Sequence, residues 1–208
     1  LSATQLRVAA ASGGQWYQGN TTVVLQSDGT MRITNPAAGM VNQPVPLPAN
    51  GAMFDNGGNA TVSGTLDGQL TIGTSDDIII TGNVVYEDDP ATNPASDDVL
   101  GLIAEENVIL SASAPYDLTI HASVMAIDNP TTAAALDGSF TVANWLVGPA
   151  KVTLAVLGGI IQGARGPVGT FNSGTGVKLS GYSKEYAYDT RFTSMAPPFF
   201  PTTGDYED

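Results

Sequence analysis

Leu118-Thr119-Ile120-His121-Ala122-Ser123-Val124 is the stretch on which the fold turns. A Thr stands between two apolar residues, and a small residue follows two places on. The Thr pattern recurs at Ala60-Thr61-Val62, Leu70-Thr71-Ile72, Phe140-Thr141-Val142 and Val152-Thr153-Leu154. Alternation with a period of two marks a strand with one buried face. The small residue recurs too, in Thr81-Gly82-Asn83-Val84, at Ile103-Ala104 and in Leu157-Gly158-Gly159-Ile160. Gly82, Ala104, Ala122 and Gly158 fall at intervals of 22, 18 and 36 residues, the last equal to two units of 18. Short strands at a loose period of about 20 residues are the pattern of a solenoid. Long helices between the strands are absent, which argues against βαβ units.

The expected architecture is therefore all-β: a right-handed parallel β-helix with strands of three to five residues. Val, Ile and Leu stack inside it, Thr and Asn stack outside, and small residues sit at the corners. The alternative is a β-sandwich with long loops. One domain is expected over 1–208, with the solenoid body at 60–180. Residues 1–15 form a leader, with a short helix over 1–11 that Ser12-Gly13-Gly14 ends. Residues 16–59 form a hairpin and a loop. Thr21–Leu25 and Met31–Thr34 flank the Asp28-Gly29 turn, and 35–59, with Pro36, Pro44, Pro46 and Pro48, reads as loop. Residues 181–208 form an aromatic, Pro-rich tail packed on the solenoid, covering strand edge or apolar surface. Its end, 202–208, is expected to fray.

Composition narrows the function. The chain has 208 residues, 20 Asp plus Glu against 7 Lys plus Arg, and a formal net charge of −13. That opposes phosphate backbones and anionic membranes, which are bound mainly through Lys and Arg. Five basic residues (Lys151, Arg165, Lys178, Lys184 and Arg191) lie in the last 58 positions, enough for a local patch and not a stripe. No Cys is present, which removes disulfides, thiolate nucleophiles and Cys-bound zinc. One His, His121, removes a multi-His metal site within the chain. No run of about 18 apolar residues spans a bilayer. The first residue is Leu1, and the chain reads as a processed form or excised segment, with any export signal or anchor upstream.

Several stretches resemble a known group. They are Asp77–Val84, Ser96–Ala104, Ala122–Ala126, Leu157–Gln162, Arg165–Gly169 and the closing Gly181-Tyr182, Tyr186-Ala187-Tyr188-Asp189-Thr190-Arg191 and Pro197-Pro198-Phe199-Phe200-Pro201. Together they resemble uncharacterised bacterial surface domains found in PilX-like, type IV pilus-associated proteins. The resemblance implies an exported, cell-surface β-solenoid without assigned catalytic residues. It also implies DNA reception at a pilus tip as one role, which the net charge weakens.

Candidate chemistry is sparse. The loop Glu87–Asp98 concentrates oxygen ligands, and Asp88, Asp89, Asp97 and Asp98 are the candidates for calcium. They lack EF-hand spacing and any Gly-Gly-x-Gly-x-Asp repeat, so the competing reading is a solvated turn-forming loop. Paired acids also suggest glycoside hydrolysis, with Asp97 and Asp98 as the pair to test, or a lyase using Lys151 or Arg165 as base. Adjacent Asp residues point apart, however, and no base–nucleophile pair can be named. Alternation puts Thr119 and His121 on one outward face, where His121 reads as a surface or stacked polar residue. Trp16, Tyr17 and Trp145 suit either sugar stacking or flank packing. Tyr182, Tyr186, Tyr188, Phe192, Phe199 and Phe200 read as staples for the tail, with Asp189 and Arg191 as a local ion pair or each meeting backbone groups. No Gly-x-Ser-x-Gly elbow and no phosphate loop is present. The expected function is a non-catalytic extracellular module for adhesion or pilus-like assembly, with a surface polymer or protein subunits as partner. A polysaccharide-active enzyme and a DNA receptor are the alternatives.

Overall fold

The computed structural model describes residues 2–127 and 137–201. Strands make up 50% and helix 6% of it, and the strands form one curled, mixed sheet shaped as a half-barrel. One helix, α1 (Thr4–Ala11), comes first. The strands follow: β1 (Gln15–Gln18), β2 (Thr21–Leu25), β3 (Thr30–Asn35), β4 (Met40–Pro46), β5 (Ala52–Asn56), β6 (Ala60–Leu66), β7 (Gln69–Thr74), β8 (Ile78–Tyr86), β9 (Val99–Ala104), β10 (Val108–Leu110), β11 (Leu118–Ala126), β12 (Phe140–Val142), β13 (Ala150–Gln162), β14 (Gly169–Phe171) and β15 (Lys178–Ala187).

Most pairings are parallel and join strands that are not consecutive. One series runs β1–β5–β7–β9–β11–β13. A second runs β2–β6–β8–β10–β12. Like stacks on like along both. Met53, Ile72, Leu102, Val124 and Ile160 are in register in the first, and Val23, Val62, Ile80, Leu110 and Val142 in the second. Nearly all of these side chains are fully buried, and they form the main core. Antiparallel pairing is confined to β2–β3–β4 and β14–β15. A β-sandwich of antiparallel sheets does not fit this pattern.

The 21–34 hairpin forms as expected. Gly29 adopts a φ of 73°, and Asp28 Oδ1 accepts the Thr30 N–H at 3.1 Å, closing the turn. The helix also forms, over Thr4–Ala11. It is no loose leader: Leu6, Ala9 and Ala10 are buried against Ala52, Phe54, Ile103 and Met125 on the outer face of the sheet.

Three sequence expectations need correcting. Residues 35–59 are not a loop, for they contain β4 and β5. Pro44 and Pro46 survive in β4 because it is the terminal strand of its path, with one edge that needs no donors. Strands also exceed three to five residues. β8 and β11 have 9 and β13 has 13, because each runs through a corner of the curled sheet. β8 pairs with β6 in two blocks, Ile78–Ile80 and Val84–Tyr86, separated by a register shift. In β13 the corner falls at Gly158, where a Cβ would lie 1.8 Å from the Ala122 carbonyl oxygen. Finally, 181–187 is no tail: it belongs to β15, the last strand on β13. The packed segment starts after it, with a 3-10 turn at Thr190–Thr193 and Phe200 buried in the cluster under α1. Residues 202–208 lie outside the described residues.

Candidate functional site

Two adjoining grooves lie on the outer surface and share Leu157 of β13. One, of about 390 Å³, is lined by Pro90, Ala91, Pro94 and Tyr188, with Asp189, Thr190 and Arg191 at its side. The other, of about 320 Å³, has Thr119 and His121 in its wall together with Ala155, Glu185 and Tyr186. The 87–98 loop and the segment after β15 therefore meet across the C-terminal half of the sheet.

Arg191 joins those two segments. Its guanidinium makes an ion pair with Asp189 at 2.6 Å and donates to the Ser96 carbonyl at 2.9 Å. It also lies over the Tyr86 ring, 5.3 Å from the centroid. Both expectations for the pair hold together, since Arg191 meets its acid and a backbone group. Asp98 does similar work. It is buried, with Oδ1 accepting from the Gly68 N–H at 2.6 Å and Oδ2 from the Asp88 N–H at 2.9 Å.

Two further calcium candidates make loop hydrogen bonds of the same kind. Asp88 Oδ2 accepts from Asn93 Nδ2 at 2.6 Å, and Asp89 Oδ1 accepts from the Ala91 N–H at 2.9 Å. Asp97 is exposed while Asp98 is buried. Among the described residues no three His, Asp or Glu side chains are grouped to hold a metal. Asp88, Asp89 and Asp98 thus clamp their own loop, while Asp97 stands on its exposed side.

His121 departs from expectation. It does share the outward face with Thr119, but it is only 8% exposed. Its Nδ1 accepts the Tyr86 N–H at 3.3 Å, and the two rings sit 5.2 Å apart. An accepting Nδ1 leaves the proton of the neutral ring on Nε2. Burial lowers its pKa, with Asp89 and Asp189 opposing. The sequence offered no partner because Tyr86 lies 35 positions away.

The aromatic residues divide. Tyr182 is buried, donates to the Pro115 carbonyl at 2.7 Å and receives Lys151. Phe200 is buried under α1. Tyr186 and Tyr188 are 44% and 60% exposed and flank the grooves, Tyr188 meeting Phe192 edge-on at 6.3 Å. Trp16 stacks on Phe54 at 5.4 Å, and Trp145 packs against the main core. The five C-terminal basic residues do not make one patch either: Lys151 is buried and Arg191 is bound to Asp189.

Two buried charge-bearing groups escaped the sequence reading. Lys151 was weighed only as a base, and Asp55 was not singled out. Alternation within Ala52-Met53-Phe54-Asp55 was the available clue, because Asp55 shares a face with the core residue Met53. Compared with protein-family models, curated proteins and solved structures, the chain matches none. No helix among the described residues is long and apolar enough to cross a membrane.

Proposed function

We propose that the chain is a non-catalytic, exported surface module, and that its curled sheet is a right-handed parallel β-helix. The two non-consecutive series of parallel, in-register strands support the β-helix reading. The groove carries the functional reading. Tyr186 and Tyr188 are 44% and 60% exposed, with the Lys184 ammonium 5.8 Å from the Tyr186 ring centroid, the Phe192 ring edge-on to Tyr188, and Asp189 and Arg191 already paired. Exposed tyrosine rings of this kind stack on the apolar face of a sugar ring. We therefore assign it an adhesive role toward a neutral surface polysaccharide. The motif resemblance to PilX-like surface domains points to the same cell-surface setting.

The test is retention of the full chain on immobilised neutral and acidic polysaccharides and on DNA, with and without calcium. Retention on a neutral polymer, lost in Tyr188→Ala at unchanged melting temperature, is the expected result. Release of reducing ends or unsaturated products would establish the enzyme instead. Retention on DNA falling steeply with salt would establish DNA reception.

A second observation favours assembly with other subunits. Ser183–Ala187 of β15 pair only with β13 among the described residues, and all are exposed. Leu146, Val147, Val152, Phe171, Val177 and Leu179 are exposed around this end. An unpaired edge beside apolar surface is a template for another chain. Sedimentation of the full chain separates the readings: concentration-dependent association, blocked by Tyr186→Pro, supports assembly.

A further inference from the structure

Asp55 occupies the interior of the N-terminal end. It is 0% exposed, and neither carboxylate oxygen makes a hydrogen bond of good geometry, the hydroxyl and amide of Thr21 being the donors close enough to favour its charged form. Strand alternation puts it there. Ala52 and Phe54 of β5 face outward under α1, while Met53 joins the main core with Asp55 on its side of the strand. In register on either side are Tyr17 of β1 and Thr74 of β7. Their polar groups are committed elsewhere. The Thr74 hydroxyl donates to the Gly58 carbonyl at 2.5 Å, and the Tyr17 hydroxyl to Gln15 at 3.3 Å. Thr21 of β2 donates its amide to Asn59 and its hydroxyl to the Gly19 carbonyl, and Asn35 of β3 donates to Thr21.

A carboxylate so placed is shut off from bulk solvent and makes no ion pair. The ionised form carries the cost of burial, and the neutral form avoids most of it. Burial pushes the Asp55 carboxyl up to about 6; hydrogen bonding from the Thr21 hydroxyl and amide opposes this only in part, and the nearby Asp76 adds repulsion. No base faces it. Arg7, the basic residue nearest in the fold, lies on the outer side of β5. There it stacks over Phe54 at 4.2 Å and binds Asn56 at 3.0 Å and Glu105 at 2.5 Å.

We propose that Asp55 is a proton-operated latch: protonated, it keeps the N-terminal end of the sheet closed with α1 docked on β5, and its ionisation loosens β5 and releases α1. The coupling follows from one strand having two faces. β5 holds Asp55 inside and, in Phe54 and Asn56, the seat of Leu6 and Arg7 outside. A shift of β5 that lets water reach the carboxylate withdraws that seat. Trp16, stacked on Phe54, lies on the moving edge.

The latch is tested on the full chain by hydrogen exchange of the β1, β5 and β7 amides, corrected for intrinsic rates, between pH 4.5 and pH 8. The opening equilibrium at these amides should rise by about 30-fold over that range and level off. The Trp16 fluorescence should change with the same midpoint, near 6. In Asp55→Asn the rise should vanish while the β11 and β13 amides keep their protection. A flat profile in the wild-type chain, or an unchanged rise in Asp55→Asn, overturns the proposal. Should that variant not fold, the carboxyl carbon of Asp55 in the wild-type chain decides. A midpoint near 6 that coincides with amide opening supports the latch, and a midpoint near 4 overturns it.

Discussion

Lys151 at the C-terminal end of the strand stack and Asp55 at the N-terminal end are both buried, and the two are treated in opposite ways. At the C-terminal end Lys151 is 3% exposed, and its ammonium is well supplied. It donates to the Ala112 carbonyl at 3.0 Å, the Ala114 carbonyl at 2.6 Å and the Tyr182 hydroxyl at 3.1 Å. The Tyr182 ring lies 5.1 Å away and adds a cation–π contact. At the N-terminal end Asp55 is as deeply buried, has no cation beside it, and has only Thr21 near enough to donate, without a hydrogen bond of good geometry at either oxygen. Depth alone therefore does not tell a structural charge from a poised one. The number of satisfied hydrogen-bonding positions does, because desolvation costs both groups and only Lys151 recovers it locally.

The strongest way to break this comparison is to remove the satisfied charge. Lys151→Met keeps the volume and, while the Tyr182 hydroxyl retains its bond to Pro115, strands the Ala112 and Ala114 carbonyls. It should cost roughly 2–4 kcal/mol of stability, since each orphaned buried group costs about 1–3 kcal/mol. Denaturant unfolding measures it, and an unchanged midpoint would mean that the ammonium cage contributes nothing net.

Asp55→Asn should act in the opposite direction. The folded carboxyl titrates near 6 and the unfolded one near 3.8. The folded state thus holds its proton longer, and stability falls as pH rises between those values. At pH 8 the variant should be more stable than the wild-type chain by roughly 1–3 kcal/mol, with the difference fading toward pH 4. Lys151 has the reverse sign. Burial lowers its pKa, so the unfolded chain binds the extra proton and stability rises with pH on approaching 10.5. Parallel unfolding series at acidic and alkaline pH would expose the two signs separately.

His121, between these ends, sharpens the same point. Burial lowers its pKa, so stability should drop as pH falls below 6.5, where the unfolded imidazole takes a proton first. The drop should be missing in His121→Gln, and unfolding near pH 5 reads it. The smallest effect belongs to Arg7. Its ion pair with Glu105 is partly exposed, at 30% and 20%, so Arg7→Gln should cost about 1 kcal/mol or less. That loss should appear as faster exchange in α1 alone.

Much of the local structure was legible. The Asp28-Gly29 turn, the α1 segment and the Thr-bearing strands all form, because each depends on neighbours only a few positions away. The loop assigned to 35–59 failed for the same reason. Pro and Gly there mimic a loop, yet β5 is held by β1 and β7, which no local preference reports. The site was less legible. The acidic pairs drew attention because they are adjacent, yet Asp88, Asp89 and Asp98 spend carboxylate oxygens on their own loop. His121 and Arg191 find their partners 35 and 95 positions away.

By itself the sequence determined the all-β texture, the hairpin, the short first helix and the scarcity of reactive side chains. Those are properties of composition and of spacing over a few residues. Only the tertiary structure decided which strands stack, where Tyr186 and Tyr188 face, and why Lys151 is content where Asp55 is not. A parallel in-register stack brings together residues some 18 to 40 positions apart, as Met53 with Ile72 and Ile120 with Val156 show. Burial and hydrogen bonding are set by those distant neighbours.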